Sequence, residues 1–211
     1  MACMEDILDL YREACDPDSH VICLDEMPVE LFSHAQAPTP MRKGRPARED
    51  SQYVRGGLAN VFGALDFKGG RRLFEVTRER KGHDFAHFLR RVVDELCAGA
   101  SKIRLVLDNL NIHSRAALYR TFAPEEARRI ARKVEFHFTP KHGSWLNAVE
   151  LEFAAARKQC LGTRPGDYED LEKALKAWQD ERNEKKARVR WTFDTETARG
   201  KLKRIYPTNE P

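Results

Sequence analysis

At 211 residues, with 41% hydrophobic and 33% charged positions, the chain is long enough for one substantial domain with a real core, too short for two generous ones, and not of disordered composition. A net charge of +4 permits a polyanionic partner without demanding one. Five cysteines (Cys3, Cys15, Cys23, Cys97, Cys160) form no C-x-x-C pair, no apolar run reaches the ~18 residues of a membrane span and no signal peptide opens the chain, so a soluble cytoplasmic protein with reduced, mostly buried thiols is expected.

In chain order, residues 1–20 read as a short lead-in helix, with Ile7, Leu8, Leu10 and Tyr11 at helical spacing, followed by a turn-rich connector. Val21-Ile22-Cys23-Leu24-Asp25-Glu26 is an apolar strand closing on an acid. Residues 38–50, rich in Pro, Arg and Lys, read either as a solvated loop or as a segment in which Arg42, Lys43 and Arg45 touch phosphates. Residues 57–67 and 71–79 predict two antiparallel strands joined at Gly69-Gly70. Phe85, Phe88, Leu89, Val92, Val93 and Leu96 then mark an amphipathic helix over residues 82–98.

The central stretch is Ile103-Arg104-Leu105-Val106-Leu107-Asp108, a second buried strand that delivers a carboxylate at its C-terminal end, where α/β sheets place their chemistry. Two short helices follow, over residues 114–122 and 124–133, the second opening on Pro124, Glu125 and Glu126, and then an alternating strand over 134–138. The loop Thr139-Pro140-Lys141-His142-Gly143 leads into a helical pattern that carries Glu150 and Glu152. Beyond residue 166 come a helix with Leu171, Leu175 and Trp178 at helical spacing, a basic run from Arg182 to Arg190 and a closing helix near 195–204. This C-terminal part reads as a packing appendage with a charged outer face or as a contact with a partner. The expected organisation is therefore a lead-in (1–20), a catalytic domain (21–165) and a C-terminal helical extension (166–211).

Two strand-end aspartates and one helix-borne glutamate offer what an oxygen-ligand site for divalent metal requires: hard anionic ligands on rigid elements, with positions left for water and phosphate. The chemistry this suggests is phosphoryl transfer, with two Mg²⁺ or Mn²⁺ ions shared by Asp25, Asp108 and one glutamate of that helix, Glu150 or Glu152. A strand puts Glu26 on the face opposite Asp25, which makes it a bystander. Glu150 and Glu152, about 200° apart on a helix, cannot both face the site. The residues His113, His137, His142 and Cys160 lack the spacing of a structural zinc site.

The order LDE at Leu24–Glu26, LVLDN at 105–109 with His113 beyond it, and FTPKHGSWLNAVELEF at 138–153 resembles the catalytic domain of bacterial insertion-sequence transposases in the mariner-like DDE superfamily. Gly44-Arg45-Pro46 followed by Tyr53-Val54-Arg55-Gly56-Gly57 fits the same order. The resemblance implies an RNase H-like fold, a mixed five-stranded sheet flanked by helices, and metal-dependent cutting and joining of double-stranded DNA at element ends. It also implies TA targets and a homodimeric assembly, and it favours Glu150 over Glu152.

The gap between Asp108 and Glu150 exceeds the mid-thirties spacing of that superfamily, and a helix around 124–133 would absorb the excess. Transposases of this kind carry a helix-turn-helix region before the first catalytic strand, which about twenty residues cannot hold; a shortened copy or one half of a split gene is expected. Around the acids, Asn109 could orient Asp108, and His113 could contact phosphate or be structural. Lys141 and His142 could touch phosphate. Trp145 could stack on a displaced base, with a core position the simpler expectation. An inactive DNA-binding or dimerising regulator, and an RNase H-like nuclease that cuts without joining, remain the competing functions.

Overall fold

The computed structural model describes residues 1–34, 41, 44, 53–162 and 165–206. A helix, α1 (Ala2–Arg12), leads into strand β1 (Ser19–His34), which is followed by β2 (Tyr53–Asp66) and β3 (Arg72–Thr77). Helix α2 (Gly82–Arg91) ends in a single π-helical turn over Val92–Leu96, so the helix expected to run to residue 98 widens in its last turn. Strand β4 (Lys102–Leu107), helices α3 (Arg115–Thr121) and α4 (Pro124–Lys133), and strand β5 (Val134–Phe138) come next. Helix α4 stands where the excess length between Asp108 and Glu150 called for one. The chain closes with α5 (Val149–Gln159), α6 (Tyr168–Glu184) and α7 (Thr195–Lys201).

The five strands form one mixed sheet in the order β3-β2-β1-β4-β5. β1 pairs antiparallel with β2 and parallel with β4, and β4 pairs parallel with β5. The β2–β3 turn works as its composition requires: Gly69 N–H donates to Asp66 Oδ1, Gly70 N–H donates to the Asp66 carbonyl, and Gly70 holds φ +74°, which a side chain disfavours.

Alternation along the strands sorts the core into two layers. Val21, Cys23, Met27, Val61, Leu65 and Val106 face α1, α5 and α6. Ile22, Leu24, Phe62, Ala64, Leu105 and Leu107 face α2, α3 and α4. The lead-in helix, through Ile7, Leu8 and Tyr11, and the C-terminal helices, through Leu171, Leu175 and Trp178, are buried in the same core as the central sheet. Of the five thiols, Cys23 and Cys97 are buried, Cys160 is half-buried, and Cys3 and Cys15 are exposed, so burial is less general than expected. No helix among the described residues is long and apolar enough to cross a membrane.

The basic run at the C-terminal end is partly structural. Glu152, on α5, points inward and is 1% exposed. It forms an ion pair with the fully buried Arg72 at 2.9 Å and accepts two hydrogen bonds from Arg182, at 2.7 and 2.9 Å. Arg72 also donates to Asn183 and to the Ala187 carbonyl. This network locks α6 onto the end of β3 and α5, the packing role expected of this segment.

Candidate active site

The parallel register of β1 and β4 ends with Cys23 opposite Val106. Two residues further along each chain stand Asp25 and Asp108; β4 has ended by then, whereas β1, expected to close at Asp25, runs on to His34 paired with β2. Asp25 thus sits within its strand and Asp108 just past the end of the neighbouring one, and alternation assigns both to the layer of α5. Helix α5 begins at Val149 and presents Glu150 in its first turn. Its approach to the sheet depends on Gly63, the antiparallel partner of Asp25. A Cβ on Gly63 would lie 2.6 Å from the Phe153 ring and 2.7 Å from the Phe74 ring. The missing side chain is what lets Phe153, one turn after Glu150, settle against the strand beside Asp25.

Asp25 is 7% exposed. Its Oδ1 accepts the Glu26 N–H at 2.9 Å, and its Oδ2 lies 3.2 Å from Asn147 Nδ2, which also donates to the Leu24 carbonyl at 2.7 Å. Burial, with the charges of Glu26, Glu150 and Asp108, pushes its carboxyl up to about 7. The Glu150 carboxyl is also held above its usual range by burial, although the residue is exposed on the helix. Among the described residues no three His, Cys, Asp or Glu side chains are grouped closely enough to hold a metal ion as they stand. Asp25 senses the charges of Glu150 and Asp108 at longer range.

Asp108 is the more accessible aspartate, its side chain 33% exposed. Its Oδ1 accepts from the Leu110 N–H at 3.2 Å and lies 2.8 Å from His113 Nδ1. Burial works against its charge, but the His113 bond prevails and holds its carboxyl below the usual range. His113 has a fully buried side chain, with Nε2 2.7 Å from Glu26 Oε1. Although burial opposes its charge, the bonds to Asp108 and Glu26 push its pKa up to about 10. Glu26 does point away from Asp25, as a strand requires, but it is no bystander.

Asp108, Asn109, Thr139, Lys141, His142 and Ser144 line a cleft of about 790 Å³. His142, in the loop before α5, holds the left-handed φ of 62°. Trp145 follows on the short 3₁₀ turn Ser144–Leu146; it is 48% exposed, with its ring edge-on to Phe193 at 5.4 Å, so the core position expected for it is not the one it takes. The reason is local: Leu146, not Trp145, turns inward from that short turn. Arg42, Lys43 and Arg45 lie outside the described residues.

Three further residues have roles here that pattern alone does not assign, and one of them, Glu26, reads from the strand as a bystander. Asn147 was visible in the SWLN block, and Glu26 stood next to a candidate ligand. Tyr11 gave no signal beyond helical spacing. Its hydroxyl donates to the Leu146 carbonyl at 2.8 Å, accepts the Ala148 N–H at 3.2 Å and touches Cys23 Sγ at 3.1 Å, bracketing Asn147 from both sides.

A mixed sheet in this order, with helices on both faces, one acid on its central strand and another just past the end of the parallel neighbour, is the RNase H-like architecture of nucleic-acid-processing enzymes. The chain belongs to the DDE superfamily endonucleases, whose family profile matches residues 20–172. No curated protein matches it. Among solved structures it is similar to the Mos1 mariner paired-end complex with Mn, at 15% identity and a TM-score of 0.56, over 85% of this chain and 53% of that one. The Mos1 transposase paired-end complex with the left transposon end has a TM-score of 0.58 at 15% identity, with the same coverage. The Mos1 strand transfer complex also gives 0.58 at 15% identity, over 85% of this chain and 52% of that one. The chain therefore shares the fold of a mariner transposase and spans about half the length of the structures it matches.

Proposed function

We propose that this chain is the catalytic domain of a DNA transposase that cuts double-stranded DNA at the ends of a mobile element and joins the freed 3′-hydroxyl to a target. Asp25, Asp108 and Glu150 form its acidic triad. The observation that carries this reading is the β1–β4 register, which brings an aspartate on β1 beside one just past the end of β4, on the face covered by the helix that bears Glu150.

The donor set fits Mg²⁺ or Mn²⁺. It is made of oxygens alone, on rigid elements, and the raised Asp25 carboxyl together with the partnerless buried Asn147 Oδ1 marks a place short of positive charge and donors. Asp25 and Asp108 would be shared between two ions, with Glu150 completing the set. When bound, such ions lower the pKa of an attacking water or 3′-hydroxyl and stabilise the leaving oxygen. The chain's own residues do the rest. Asn147 holds the Asp25 carboxylate in one orientation, and Lys141 and His142 line the cleft where phosphate would lie, with Asn109 beside them. The half-exposed Trp145 is available to a displaced base, and Arg42, Lys43 and Arg45 would extend the phosphate track. A TA target and a homodimeric complex belong to the same reading, as do a catalytic unit spanning 21–165 and a helical extension beyond it.

The test uses supercoiled plasmid DNA and a labelled pre-cut duplex with free 3′ ends, in Mg²⁺ or Mn²⁺. Nicking and joining are both expected, and both fall to background in Asp25→Asn, Asp108→Asn and Glu150→Gln. Activity kept by any variant removes that residue from the triad. Nicking without joining makes the protein a plain nuclease, and neither activity in the unaltered chain makes it a regulator.

A further inference from the structure

We infer that Glu26 and His113 form a buried positioning pair that fixes the orientation of the Asp108 carboxylate, and that neither residue touches DNA. The inference rests on the assignment of Asp108 to the acidic triad. Asp108 lies one residue past the last pair of the β4–β5 ladder, where strand pairing no longer restrains it. His113 takes over: its Nδ1 sits 2.8 Å from Asp108 Oδ1 and 3.0 Å from the Asp108 carbonyl, gripping side chain and backbone together. Its Nε2 is anchored 2.7 Å from Glu26 Oε1, and the Phe85 ring packs on the imidazole at a centroid distance of 4.9 Å. With Asp108 on one ring nitrogen and Glu26 on the other, the imidazole can neither flip nor swing without losing a bond.

Both side chains of the pair are 0% exposed, which closes the route to a phosphate contact. The cost of Glu26 points the same way. Its Oε2 is buried without a hydrogen-bond partner, whereas the other deeply buried glutamate, Glu152, has both oxygens engaged by arginines. A carboxylate left half-satisfied in a core costs stability that an apolar side chain would not. What Glu26 supplies in return is the anchor for His113. Partners behind a metal ligand typically contribute about 10–100-fold to metal affinity or activity.

The experiment measures Mn²⁺ binding to the 211-residue chain by calorimetry without DNA, alongside thermal melting and the kcat and KM for plasmid nicking, in the unaltered protein and in Glu26→Gln. The expected result is about 10–100-fold weaker Mn²⁺ binding and a similar fall in kcat, with KM for DNA unchanged. Glu26→Asp, which keeps the charge but withdraws it by one methylene, is expected to fall between the two and carries the test if Glu26→Gln does not fold. A lowered melting temperature with Mn²⁺ affinity unchanged would make the pair merely structural and overturn the inference. A raised KM with Mn²⁺ affinity intact would overturn it too, by placing the pair's effect on DNA binding. If the unaltered chain binds no Mn²⁺, the triad assignment itself falls, an outcome distinct from a variant that binds as well as its parent.

Discussion

Asp25 occupies a site that disfavours its own charge, since burial and the carboxylates of Glu26, Glu150 and Asp108 raise its carboxyl to about 7. An unfolded aspartate titrates near ~3.9, so between these values the folded chain holds the proton more firmly than the unfolded one. This group's contribution to stability therefore falls as pH rises through that window, and the full penalty applies above 7. In metal-free thermal melts, Asp25→Asn is expected to be more stable than its parent at pH 8, with the advantage gone near pH 4. Equal melting at pH 8 would mean that water already solvates the carboxylate. Legibility at this scale was uneven. Asp25 and Asp108 could be singled out as acids that follow apolar runs, although only β4 stops there and β1 runs on through Asp25 to His34. Asn147, Glu26 and Tyr11 could not, because their roles come from partners up to 137 positions away, and one-dimensional pattern carries no such information. Trp145 was misplaced for a related reason: which of two adjacent apolar residues turns inward on a short 3₁₀ turn depends on the turn, not on their hydrophobicity.

At the scale of elements, α5 places its two glutamates in opposite surroundings. Glu150 stands exposed at the site, while Glu152 neutralises Arg72 in the core. Glu152→Ala should leave a buried guanidinium short of its counter-charge and cost about 3–5 kcal/mol in denaturant unfolding. Glu150→Gln should shift that curve by less than about 0.5 kcal/mol while abolishing nicking. Gly63 sets how closely the same helix approaches β2. Gly63→Ala should cost about 1–3 kcal/mol through collision with Phe153 and Phe74, and the displaced α5 should lower nicking activity beyond what the lost stability explains. The hairpin, the α2 helix, both short helices after Asp108 and β5 were readable from periodicity and turn residues. The Arg72–Glu152–Arg182 network was not, since charged residues read as surface until the fold shows them paired.

For the molecule as a whole, a cation at the acidic triad should tie together elements drawn from both ends and the middle of the catalytic region. Ligand that binds the folded state alone stabilises it by mass action, about 2.7 kcal/mol at a hundred times Kd. Mn²⁺ is thus expected to raise the melting temperature in a concentration-dependent, EDTA-reversible way, and to lose this effect in Asp108→Asn. A melting temperature indifferent to Mn²⁺ would argue against a shared ion. The RNase H-like arrangement itself was legible because each strand, helix and turn carries its own local signal. The docking of α1 into the same core was not, because a lead-in segment looks alike in sequence whether it docks or dangles.

The hydroxyl of Tyr11 gives that docking a mechanical meaning. It spans the peptide groups on either side of Asn147, so the grip of that amide on Asp25 is only as firm as the seating of the first helix. Lifting α1 would therefore slacken the Asn147 contact with the Asp25 carboxylate, which ties the seating of the first helix to the setting of that side chain.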